Sequence, residues 1–265
     1  MEQAILIPRE IREAGFPTAR YLNEGEQARY DEAVRSFNSE KARETLRVPL
    51  NGSNLFKVLL LNKLGIRTAT IQELEMIVDQ NPGMLKGHYE DSPSVVLFSI
   101  NTSYAPNKPL AKSLSKLVGK HEYPVLMTGL EPVEDHSTDY GLSLKPGDKF
   151  QFTEAPELAY ANHGRKFLRL DERGMPIFDD KGTRTLHTRQ DGLSRVYLGW
   201  GLGLVSYGEY LAGSDEDGRV VVVSAEGAAN LKLQEHMLKL TAERDRQNDA
   251  NEERFQRALA IMKNN

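Results

Sequence analysis

Tyr197-Leu-Gly-Trp-Gly-Leu-Gly-Leu-Val-Ser-Tyr-Gly-Glu-Tyr-Leu-Ala-Gly-Ser-Asp-Glu-Asp217 stands apart from the rest of the chain. Twelve of its 21 residues are Gly, Tyr, Ser or Asp, and leucines recur between them at Leu198, Leu202, Leu204 and Leu211. Glycine inside a strand packs nothing and loses the most backbone entropy on folding. Selection for folding alone therefore does not account for Gly199, Gly201 and Gly203 at every second position. The alternation predicts one fixed face, made of Val196, Leu198, Trp200, Leu202 and Leu204, with Trp200 buried. It leaves Tyr197, Gly199, Gly201 and Gly203 on a face free to vary. Recognition loops use the same residue types, because Tyr gives broad, rigid, amphipathic contacts while Ser and Gly adapt.

Outward from this stretch the pattern is α+β. Upstream, Val95–Phe98 and Tyr123–Met127 read as buried strands, with a helix over 109–118 between them. Short strands follow, split by turns: Lys149–Phe152, Lys166–Leu170, Met175–Phe178 and Thr183–Thr188. Downstream, the run Arg219–Ser224 (RVVVVS) is the clearest strand in the chain. Residues 1–90 read mainly as helices: Glu26–Leu46, Asn54–Leu64, and Thr70–Val78 with Thr70 and Glu73 spaced as a capping box. The last two are close enough to suggest a helix-turn-helix, but IQELEMIV has no Arg or Lys to read a groove. From Glu226 a proline-free helix is expected over 226–265, apolar at both ends and polar in the middle. The expected organisation is a helical region (1–90), a mixed domain (91–225) carrying a patch at 195–217, and a C-terminal helix that mediates homo-oligomers.

Composition removes several function classes. Lys and Arg number 34 against 38 Asp and Glu, a net charge of −4, so the chain lacks the basic field of a general nucleic-acid binder. With no cysteine it holds no disulfide, no thiolate nucleophile and no Cys-ligated metal. No apolar run approaches the roughly 20 residues that span a membrane. The opening MEQAILIPREIREAG carries charges where a secretory signal needs an apolar centre. The expectation is cytoplasmic synthesis, followed by virion or non-classical surface display. There is no phosphate-binding loop and no nucleophile elbow, and Gly199-Trp-Gly-Leu-Gly203 lacks the third glycine of a dinucleotide loop. Two alternatives stay open. One is a divalent-metal-dependent hydrolase built on the loop 131–139 through Asp135, His136 and Asp139, with His88. The other is a virion or assembly protein organised by the C-terminal helix.

The segments Arg184-Thr-Leu-His-Thr-Arg189 and Gly192-Leu-Ser-Arg195, the alternating patch, and the closing Gly218-Arg-Val-Val-Val-Val223 together resemble the variable proteins of diversity-generating retroelements. In that family template adenines are randomised during reverse transcription, so that AAY codons become Gly, Ser, Asp, Tyr or Val. The resemblance implies a C-type-lectin-like fold of the formylglycine-generating-enzyme type, no catalysis and no cofactor. It implies a ligand-binding patch of Tyr197, Gly199, Gly201, Gly203, Val205, Tyr207, Gly208, Tyr210, Gly213, Asp215 and Asp217, all reachable from such codons. Trp200, Glu209 and Glu216 are not reachable and would be fixed. The ligand expected is a macromolecule, namely a protein, with neither nucleic-acid binding nor membrane insertion.

Overall fold

A computed structural model describes residues 19–223. The helix expected over 226–265, and the oligomer contact assigned to it, lie outside the described residues.

The chain runs β1 (Ala19–Tyr21), α1 (Glu24–Arg35), α2 (Glu40–Leu46), α3 (Leu55–Lys63), α4 (Ile71–Gln80), α5 (Pro82–Leu85) and β2 (Tyr89–Leu97). It continues through α6 (Lys108–Val118), β3 (Val125–Glu134), β4 (Leu142–Glu154), β5 (Lys166–Leu170), β6 (Pro176–Phe178), β7 (Arg184–Thr185) and β8 (His187–Thr188). It closes with β9 (Leu193–Leu198), β10 (Leu204–Ser206), β11 (Gly218–Arg219) and β12 (Val221–Val223). The fold is mixed α+β. Local signals set several boundaries. Thr70 and Glu73 do form the capping box of α4, and Asn54 caps α3. The helix expected over 26–46 is two helices, because the amides of Asn38 and Ser39 turn aside to donate to Glu134 at 3.1 and 2.5 Å.

The main sheet has the order β4-β3-β2-β9-β10-β8, with β11 also pairing β2. Its pairings are antiparallel except β10–β8 and β11–β2. A three-stranded sheet, β6-β5-β7, and a terminal pair, β1–β12, complete the described strands.

The central strands bury both faces, which explains their continuous apolar runs. Val95, Leu97, Val125, Met127, Val220 and Val222 join Tyr30, Leu46, Phe56 and Leu59 of α1–α3 in one cluster. The alternate residues Val96, Leu126, Val196, Leu198, Leu204, Val221 and Val223 join Leu74, Ile77 and Phe167 in a second. The helices before residue 90 thus share a core with the sheet after it, and Ala19–Val223 is one unit.

Candidate functional site

Strand register builds the site. Asp91 pairs with Tyr197, Tyr197 with Val205, and Val205 with His187. Directly paired residues project from the same face of a sheet, so these four form one row across β2, β9, β10 and β8. The neighbouring row, Glu90–Leu198–Leu204, projects into the opposite face and the second core.

On the first row lies an open cavity of about 460 Å³. Tyr197, Gly199, Gly201 and Gly203 line it, as do Val205, Tyr207 and Asp215. These are seven of the eleven patch residues. The other four sit elsewhere. Tyr210 packs on Tyr104 with ring centroids 6.1 Å apart, and Gly213 lies against Tyr210. Gly208 lies against Arg195 and Tyr197, and Asp217 donates its amide to Asp215.

Leu198, Leu202, Leu204 and Leu211 are buried, as the alternation expects. Trp200 is not: 59% of its surface is exposed, and it lines the cavity. The strand ends at Leu198, and Gly199 donates to the Gly203 carbonyl across a turn. Alternation loses its meaning where the chain turns.

The turn is anchored from outside the patch. Leu202 holds a left-handed φ of 62°, which costs a non-glycine residue energy and persists only where its surroundings fix it. Arg184 does so: its Nε donates to the Leu202 carbonyl at 2.6 Å, and its Nη1 donates to both carboxylate oxygens of Glu75 at 2.7 and 2.6 Å. Glu75 also accepts the Leu170 amide at 2.8 Å. The neighbouring Gly203 cannot take a side chain without a shift, since a Cβ there would stand 2.6 Å from the Thr185 carbonyl oxygen. This corrects the expectation that position 203 varies as freely as its neighbours. A Cβ at Gly201 meets nothing within 4 Å, and one at Gly199 comes no closer than 3.3 Å to the Val205 side chain.

Four residues outside the 195–217 stretch, Tyr89, Thr183, Thr185 and His187, supply much of the wall, together with Arg195 at its edge. Arg195 Nη1 donates to Asp91 Oδ1 and Oδ2 at 3.1 and 3.0 Å and to the Gly213 carbonyl at 2.8 Å. Its guanidinium also covers the rings of Tyr197 and Tyr89, 4.8 and 5.4 Å from their centroids. Burial pushes the Asp91 carboxyl up, and the Arg195 charge opposes this. Burial, then the neighbouring His163 and Lys166, lowers the His187 pKa, so its ring is neutral at pH 7. It meets Tyr207 edge-on at 6.1 Å. The Tyr89 hydroxyl donates to the Ser53 carbonyl at 3.1 Å and accepts the Asp215 amide at 3.0 Å, which fixes the 214–217 loop.

The 131–139 loop has a plainer structure. Asp135 accepts from the Ser137 amide and hydroxyl, which lower its pKa, and exposed His136 lies 3.1 Å from Glu134. Among the described residues no three His, Asp or Glu side chains are placed to hold a metal ion. No described helix is long and apolar enough to cross a membrane.

Comparison with family profiles, with curated proteins and with solved structures gave no match to this chain.

Proposed function

We propose that the protein is a non-enzymatic ligand-binding protein, a retroelement variable protein whose C-type-lectin-like sheet displays a diversified patch to a protein ligand. The observation that carries this reading is the gathering of alternate positions 197, 199, 201 and 203, with 205, 207 and 215, around one open cavity while the interleaved leucines are buried. Two further features support it. The hairpin tip is held by Arg184 and Glu75, both outside the patch, so this anchor does not depend on the displayed side chains. And a Cβ at Gly201 meets nothing within 4 Å, one at Gly208 meets its neighbours from 3.4 Å, and one at Gly199 needs only a small shift of the Val205 side chain at 3.3 Å. The diversified set on this reading excludes Gly203.

The test is a combined variant, Gly199→Ser, Gly201→Tyr and Tyr207→Ser, compared with wild type by thermal unfolding. The melting temperature should move by no more than a few degrees, since surface changes away from the core are nearly neutral. Cooperative loss of the fold would overturn the reading. A second check is the nucleotide sequence around the gene, where a near-copy of the codons for 190–220, differing only at adenines, is expected.

A further inference from the structure

We infer that this cavity accepts a positively charged side chain, arginine or lysine, presented by a protein partner. The inference rests on the binding reading above and assigns the chemistry of its ligand.

Two charged side chains line the cavity, Arg195 and Asp215, while His187 is neutral. Arg195 is committed internally: Asp91 meets its charge through two hydrogen bonds, and Gly213 takes a third. Its unpartnered Nε lies against Gly208, where a Cβ would stand 3.4 Å away. Asp215 makes no ion pair among the described residues, and its carboxylate accepts the Asp217 amide. Asp215 is exposed and lines the cavity, and because Tyr89 holds its amide it stands on a fixed loop.

Open aromatic surface shares the cavity. Trp200 is 59% and Tyr207 51% exposed, large values for such side chains. Ring faces attract cations through their quadrupole, and a carboxylate adds a charge-assisted hydrogen bond. An anionic ligand would have to share the Arg195 charge with the buried Asp91 carboxylate and would face the Asp215 carboxylate as well. A neutral sugar would stack on the rings but leave the Asp215 charge unanswered. The Lys166 ammonium, donating to Thr185 Oγ1 at 2.8 Å, makes that end of the cavity unfavourable for a cation. The bound charge therefore belongs near Asp215.

Trp200 is the single tryptophan of the chain, so its fluorescence reports on this cavity alone. The full-length protein is titrated with N-acetyl-arginine methylamide, its neutral isostere N-acetyl-citrulline methylamide, N-acetyl-glutamate methylamide and N-acetylglucosamine. The arginine probe should change the emission saturably, and the citrulline probe should bind at least about tenfold more weakly. Asp215→Asn should weaken the arginine probe by about the same factor and leave the melting temperature unchanged. Equal binding of citrulline and arginine, tighter binding of the sugar or glutamate probe, indifference to Asp215→Asn, or no saturable response to arginine would each overturn the assignment. If the arginine probe fails while the triple patch variant still folds, the cation assignment falls and the binding reading stands. If the triple variant unfolds, the binding reading itself falls.

Discussion

One methyl group separates glycine from alanine, and two glycines of the same turn should respond to it with opposite sign. Neither Gly201 nor Gly203 has a positive φ, so alanine is conformationally allowed at both. At Gly201 the added Cβ meets nothing, and its main effect is to restrict the unfolded chain. Gly201→Ala should therefore stabilise by about 0.4–1 kcal/mol. At Gly203 the same atom would press on the Thr185 carbonyl at 2.6 Å, so Gly203→Ala should cost about 1–3 kcal/mol, as overpacking does. Urea denaturation of the two variants side by side tests this, and equal shifts would remove the argument. Trp200 carries a related lesson. A buried tryptophan costs ~3–5 kcal/mol on truncation, but this one is exposed, and Trp200→Ala should change stability by no more than about 0.5 kcal/mol. Far-ultraviolet circular dichroism during denaturation measures it without needing the lost fluorophore.

The β9–β10 hairpin depends on an ion pair that neither strand supplies. Arg184 and Glu75 are both buried and stand 109 residues apart in sequence, and they join the hairpin tip to α4 and the small sheet. Arg184→Leu leaves a buried carboxylate without its counter-charge and should cost about 3–5 kcal/mol. Adding Glu75→Leu should recover much of that loss, since an apolar pair can replace a buried ion pair. A double-mutant cycle in urea measures the coupling, and additive losses would show that the two residues do not act as a pair. The same separation explains what could be read in advance. The α4 cap needs residues three apart, and the buried leucines of the patch need only local alternation, so both were legible. The break between α1 and α2 depends on Glu134, about 95 residues away, taking two amides. The cavity wall depends on Tyr89 and Arg195 arriving through β2–β9 register. No window of neighbouring residues contains those pairings. Trp200 departs from the alternation for a different reason: the strand ends at Leu198, so period two no longer assigns a face at position 200.

At the scale of the whole molecule, two buried ionisable groups on opposite sides of the main sheet set opposing pH dependences. Glu90 projects beside Leu198 and Leu204, fully buried, and neither carboxylate oxygen has a hydrogen-bond partner. Burial, reinforced by Asp91 and opposed by Arg219, pushes its pKa up to about 9. Lys57, in the helical core, donates to the Pro49 and Gly52 carbonyls at 2.6 and 2.9 Å, and burial lowers its pKa to about 7. Between the unfolded value of about 4.5 and about 9 the folded chain keeps the Glu90 proton that the unfolded chain releases, so stability falls as pH rises, by up to about 1.4 kcal/mol per unit. Between about 7 and 10.5 the unfolded chain keeps the Lys57 proton that the folded chain releases, so this group makes stability rise with pH. Their combined contribution falls from pH 5 to 7, is nearly level from 7 to 9 where the two cancel, and rises above 9 where Lys57 acts alone. The difference in melting temperature between wild type and the double variant Glu90→Gln, Lys57→Met, measured across pH 5–10, should follow this shape. Glu90→Gln should flatten the falling limb and Lys57→Met the rising one, each without touching the other. A falling limb that survives Glu90→Gln would mean that Glu90 is ionised in the fold, and with it would go the account of how an unpartnered carboxyl is tolerated beneath the binding face.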